Sequence, residues 1–204
     1  NVVMCWTQER SAPAEEGTVM GQIALEGSPE NSRSISQDDD AMVVNVFDNG
    51  LTPSQIEFTV APTGRHDYCA VFNLGESTPT DRVRLVEDCT PAPRLRGGED
   101  LPSAFRFRAG APTRIGTGVR PFGTPGDVRI DNIVVWREQD GEPSYQDVLS
   151  SVCGRRKNYA ALPNIPPPGC WFTLDGTLAD RLTNCSDLMP VSGTVTWGDA
   201  APLD

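Results

Sequence analysis

The stretch that most narrows what this chain can fold into is Ala111 to Trp136, APTRIGTGVRPFGTPGDVRIDNIVVW. It reads as a short strand at Thr113 to Gly116, a Gly/Pro-rich loop, and a longer apolar strand at Asp127 to Trp136. Side chains alternate between the two faces of a strand. Val128 and Ile130 keep one phase, whereas Ile133 and Val135 keep the other. One extra residue has to be absorbed near Asp131 and Asn132, which predicts a β-bulge there.

Strand patterns recur along the rest of the chain. Asn1 to Gln8 reads as a buried strand with Trp6 as a core residue, and Thr18 to Leu25 as the next. Glu26 to Asp40 is long, polar and Asp-rich, and is expected to be an exposed loop. Ala41 to Phe47 and Gln55 to Val60 flank a turn at Asp48-Asn49-Gly50 and predict a hairpin. His66 to Phe72 and Arg82 to Glu87 predict another. Thr90 to Leu101 reads as irregular, Phe105 to Phe107 as a short strand, and Tyr145 to Val152 as one or two helical turns. With 19 Gly and 18 Pro and few helix-patterned runs, the chain is expected to be all-β. Its 204 residues suit one β-sandwich with an extension and are marginal for two domains.

Ordered as they are, these pieces resemble the laminin-G-like, concanavalin-A-like jelly rolls. Thr113-Arg114-Ile115-Gly116, Phe122-Gly123 and Arg129 to Trp136 are similar to that family's closing strands, and Ser144 to Leu149 to the short helix after them. Arg65 to Phe72 resembles the family's "WHHVAV" strand and Val83 to Asp88 its "LYVDG" partner. The resemblance implies a jelly-roll β-sandwich of two antiparallel sheets. Its main part is expected over 1–153. Residues 154–169, with Arg155-Arg156-Lys157 and then a Pro run, read as a linker.

Residues 170–204 resemble the family's opening strands, through Trp171 to Gly176, Leu178-Ala179-Asp180 and Val191 to Trp197. The opening strands therefore stand at the C-terminus. This order fits a permuted sandwich closed within one chain, strands donated to a neighbouring copy in an oligomer, or a tandem repeat cut out of register. Closure within one chain is placed first. A segment of this size cannot bury Trp171, Phe172, Leu174 and Trp197 alone, so these are the expected docking residues.

The formal charge of −11 argues against nucleic acid and against an anionic membrane surface as partners. No apolar run reaches the ~20 residues of a membrane-spanning helix. The chain begins without Met, as a processed product or fragment would. Six cysteines without CxxC spacing or a His at ligand spacing favour disulfides and a secreted, cell-surface or periplasmic setting. If the hairpin turns near Thr78, Cys69 and Cys89 fall within about two residues of register, so that pair is expected. A Cys153–Cys170 clasp across the Pro-rich segment is slightly favoured among the remainder, which includes Cys5 and Cys185.

Candidate chemistry is sparse. His66, the single His, lacks a nucleophile partner and matches a structural position in the family strand. Paired carboxylates in a glycosidase arrangement are missing, and an enzyme is not expected. Calcium is the cofactor these acids could suit, because it needs several hard oxygens on loops. Its candidate ligands are Asp38, Asp39, Asp40 and Asp48 on one side, with Asp127 and Asp131 from the closing strand. Solvation explains these acids more simply, and Asp131 is better placed to accept backbone N–H groups at the bulge. Trp6, Trp136, Trp171 and Trp197 all fall in strand-like runs suited to core packing, leaving Tyr159 as the aromatic outside them. Asn184-Cys185-Ser186 has the pattern of an N-glycosylation sequon. The function implied by the resemblance is a non-catalytic binding or adhesion module for a glycan or protein surface. The alternative is a structural subunit of a larger cell-surface or membrane-associated assembly.

Overall fold

The computed structural model describes residues 1–11, 17–22, 32–47, 54–95, 113–115, 129–137, 141–152, 159, 162, 164–174 and 176–189. The described strands form two antiparallel sheets. Sheet A runs β11 (Cys170–Phe172), β10 (Arg129–Arg137), β1 (Val2–Arg10), β6 (Gly64–Phe72), β7 (Val83–Glu87) and β8 (Thr90–Pro91). Sheet B runs β5 (Ser54–Thr59), β4 (Ala41–Phe47), β3 (Ser32–Asp38), β2 (Gly17–Gln22) and β9 (Thr113–Ile115). The chain crosses between sheets from β1 to β2, while β9 pairs with β2 and β10 pairs with β1. Two strands of one part of the chain thus travel across both sheets beside two of the other, the doubled ribbon of a jelly roll.

The sheets meet over a core to which both contribute. Val2, Met4 and Trp6 of β1, Phe72 and Leu85 of sheet A, and Ile35, Met42, Val44, Ile56 and Phe58 of sheet B are buried together. The other face of sheet A is buried as well, so β1 is enclosed on both sides from Val2 to Gln8. Its cover is a short helix, α1 (Tyr145–Asp147), which continues as a π-helical turn over Val148–Val152. Tyr159, Leu162, Ile165 and Trp171 complete the cover, packing with Val3, Val71, Val134 and Trp136. Ser144 starts α1 with a capping box: the Asp147 N–H donates to Ser144 Oγ and the Ser144 N–H to Asp147 Oδ2. Trp136 Nε1 donates to the Pro166 carbonyl at 2.9 Å and fixes the Pro-rich segment on the sheet.

The bulge lies where the phase break predicts it. Cys5 faces Val134 and Thr7 faces Asp131, leaving Asn132 and Ile133 together opposite Trp6. Asn132 takes φ +49°, and the Asp131 carboxylate accepts its N–H at 2.7 Å. The extra residue lets Ile130 and Ile133 both serve the inter-sheet core while Val134 and Trp136 face α1.

Three expectations are corrected here, one of them the irregular stretch from Thr90, which begins with β8 paired to β7. The polar segment before Ala41 is not wholly an exposed loop, because Ser32–Asp38 is β3, paired on both sides. Its sequence does not read as a strand because Ile35 is its single apolar residue, whereas Ser36 and Gln37 are buried polar groups. The cysteine pairings also differ. Cys69 is bonded to Cys5, which stands directly across from it in the β1–β6 register. Cys89 lies in the turn beyond β7, where Cys69 faces Val86 instead, and it too is disulfide-bonded. Cys170 is bonded to Cys185, not Cys153, because the chain after β11 turns straight back onto that strand. Cys153 and the short strand expected at Phe105 to Phe107 lie outside the described residues. Disulfides persist in oxidising compartments, so this fold belongs outside the reducing cytosol. Among the described residues no helix is long and apolar enough to cross a membrane.

Candidate functional site: the polar end of the sandwich

The inward face of β1 changes character along its length, from Val2, Met4 and Trp6 to Gln8 and Arg10, all of them buried. Buried polar groups must find partners, and here they form a chain across the two sheets. Trp6 Nε1 donates to Gln8 Oε1 at 3.1 Å, Gln8 Nε2 donates to Gln37 Oε1 on β3, and Gln37 Nε2 donates to the carbonyls of Asp39 and Ala61. The Ala61 N–H and the Tyr68 hydroxyl then converge on Glu87 Oε1 at 2.9 and 3.0 Å. Burial, reinforced by the Glu87 carboxylate, pushes the Tyr68 phenol far above its ordinary range. Tyr68 stacks on Trp6 with ring centroids 5.5 Å apart and acts as a neutral donor.

His66 borders this network, opposite Gln8 in register. Its Nδ1 lies 2.6 Å from Asp88 Oδ2 and its Nε2 3.0 Å from the Thr63 carbonyl. Both partners are acceptors, so only the doubly protonated ring can bond to both at once. Burial alone would lower the His66 pKa. The Asp88 hydrogen bond, the Thr63 carbonyl and the charges of Asp88 and Glu87 outweigh it, and the pKa is raised. With both nitrogens engaged, the imidazolium offers no lone pair to a substrate, and the arrangement is a tie between turns. The outward face carries Thr7 Oγ1 donating to Asp67 Oδ1 at 2.8 Å, and the pair Arg65–Asp131 at 3.7 Å.

The candidate acids are not gathered. Asp38, Asp39 and Asp40 sit exposed where β3 turns into β4, with Asp39 at φ +49°. Phe47, the last described residue before Asp48, is at the opposite end of β4. Asp131 is engaged at the bulge and with Arg65. Asp48 and Asp127 lie outside the described residues, and among those described no group of three His, Cys, Asp or Glu is placed to hold a metal.

The docking residues divide between the two cores. Phe172 enters the inter-sheet core with Leu174 packed beside it, while Trp171 enters the outer cluster. Trp197 lies outside the described residues. Tyr159, expected in the linker, stands edge-on between Trp136 and Trp171, at 6.0 and 5.5 Å between centroids, and is buried. The segment after β11 is organised by Asp180, a group whose importance its local sequence does not disclose. Asp180 Oδ1 accepts the N–H groups of Trp171 and Leu182, and Oδ2 accepts those of Asn184 and Cys185. Asn184 and Ser186 of the sequon are exposed, and Cys185 between them is in its disulfide. No protein-family model matches the chain, and no curated protein does.

Proposed function

We propose that the chain is a non-catalytic binding or adhesion module, working outside the cytosol and recognising a glycan or protein surface through loops at one end of the sandwich. The observation that carries this reading is which surfaces remain available. The outer face of sheet A is covered by α1, the Pro-rich segment and Trp171. In sheet B, the strand ends Gln22, Ser32, Phe47, Ser54 and Thr113 fall at the same end by register. Binding residues concentrate on loops held by such a scaffold. The test is a glycan and extracellular-protein array probed with the whole chain, with and without a chelator. Selective binding that survives dilution supports the reading, and chelator sensitivity would add calcium to it. Turnover of a polysaccharide, or no selective binding to either class, would overturn it.

The second reading, a structural subunit, is favoured by how the segment from β11 onward is built. It docks through three ladder residues and two aromatic anchors, and carries its own disulfide and carboxylate hub. Such a piece suits attachment to a neighbour. Native mass across a concentration series separates the two, because a subunit would be found only in a larger assembly.

A further inference from the structure

We infer that His66 is a pH-dependent latch that holds the β5–β6 crossover onto the end of sheet A. The crossover, Val60 to Thr63, carries the chain from sheet B to sheet A, and the Thr63 carbonyl is one of the latch's two acceptors. The other is Asp88, in the turn after β7, which is itself fixed by exchanging backbone and side-chain bonds with Asp67. The cradle is fitted to the ring. Gly64 has φ +102°, and a Cβ built there would lie 3.0 Å from His66 Nε2. An imidazolium bonds both turns, whereas a neutral ring must surrender one of them.

The charged and titratable groups facing His66 come from each neighbouring element. β7 and its turn present Glu87 at 3.8 Å and Asp88 at 2.6 Å, both favouring the charged ring. Tyr68, on β6 itself, is 6.3 Å away between centroids and stays neutral. β1 presents the uncharged Gln8 opposite His66, and Arg10 acts on the Tyr68 phenol. A folded-state pKa raised above the unfolded one gives stability that is complete below the unfolded value and is lost as pH rises through the folded value. The window therefore opens near the ordinary 6.5 of a histidine and closes above the raised folded midpoint. In acid the ring adds its bond to the Thr63 carbonyl to the Ala61 bonds that hold the crossover at any pH, and above the window the ring keeps only one of its two acceptors.

Because the chain has a single His, its imidazole resonance can be assigned without mutation. The experiment is an NMR titration of that resonance in the intact protein, with amide exchange measured at residues 60–67 on both sides of the midpoint. The expected result is a midpoint above that of the urea-unfolded chain, with exchange at these amides rising, after correction for intrinsic pH dependence, as the ring deprotonates. Asp88→Asn should lower the midpoint, and Gly64→Ala should lower it too by displacing the ring. A folded midpoint at or below the unfolded one overturns the latch. So does amide protection that does not change across the titration.

Discussion

The carboxylate of Asp180 lets a short C-terminal segment hold a shape, and replacing it tests how that segment is stabilised. Asp180 is only 4% exposed and accepts four backbone N–H groups, two on each oxygen. In Asp180→Asn the remaining oxygen can keep one pair, and the new amide presents its own N–H groups to the other. Two charge-assisted bonds are lost at roughly 1.5–3 kcal/mol each, so the local cost is about 3–6 kcal/mol. The Cys170–Cys185 disulfide still limits how far the segment can spread. The change should therefore appear as local opening rather than global unfolding. In native-state hydrogen exchange, the amides of Trp171, Leu182, Asn184 and Cys185 should lose roughly 10²- to 10⁴-fold protection. Amides in β3 and β4 should keep theirs. Unchanged protection at the four amides would refute the role of the carboxylate. An equal loss in β3 and β4 would refute the claim that the segment opens separately.

The two disulfides described should differ in worth, because the loops they close differ in length. Replacing Cys5 and Cys69 by Ala releases a link across 64 residues and should cost about 4 kcal/mol, against about 3 kcal/mol for Cys170 and Cys185 with their separation of 15, both read from urea denaturation. At the bulge, Asn132→Ala should cost about 1–2 kcal/mol because φ is +49° there, while Asn132→Gly should be neutral or stabilising. A cost for Gly as large as that for Ala would show that the Asn side chain, rather than the backbone, sustains the bulge. Tyr68→Phe removes the hydroxyl from Glu87 and should lower stability by about 1 kcal/mol at neutral pH. No loss on thermal denaturation would place the weight of the polar chain on the Gln8–Gln37 bond instead.

Features governed by nearest neighbours in the chain were legible in the sequence. An apolar run located β4, alternation at Ile56, Phe58 and Val60 located β5, and a single break in phase located the bulge to within two residues, since these depend on the residues of one strand. The features that were missed depend on who stands next to whom. Cys5 meets Cys69 because β1 enters sheet A between β10 and β6. The β6–β7 hairpin involves only the other edge of β6, and its register points towards Cys89 instead. β3 was missed for a related reason. Its burial comes from pairing with β2 and β4 and from Gln37 meeting Gln8 across the sandwich. A buried glutamine in a polar run has the same letter as an exposed one.

The same distinction explains why the polar end could not be found as a site beforehand. His66, Asp88, Tyr68 and Glu87 sit close in sequence, on one hairpin, yet what decides their chemistry is the Thr63 carbonyl and the Ala61 N–H from the crossover, and Gln37 from the other sheet. Backbone groups have no letter of their own, and here they take up the histidine nitrogen and the glutamate oxygen that a catalytic reading would need free. The hairpin offers an acid, a phenol and an imidazole in reach of one another, and the crossover turns them into a clasp. That clasp ties the histidine nitrogens and a glutamate oxygen to the crossover and its turns, and the response to pH we infer for it lies in the ordering of the crossover.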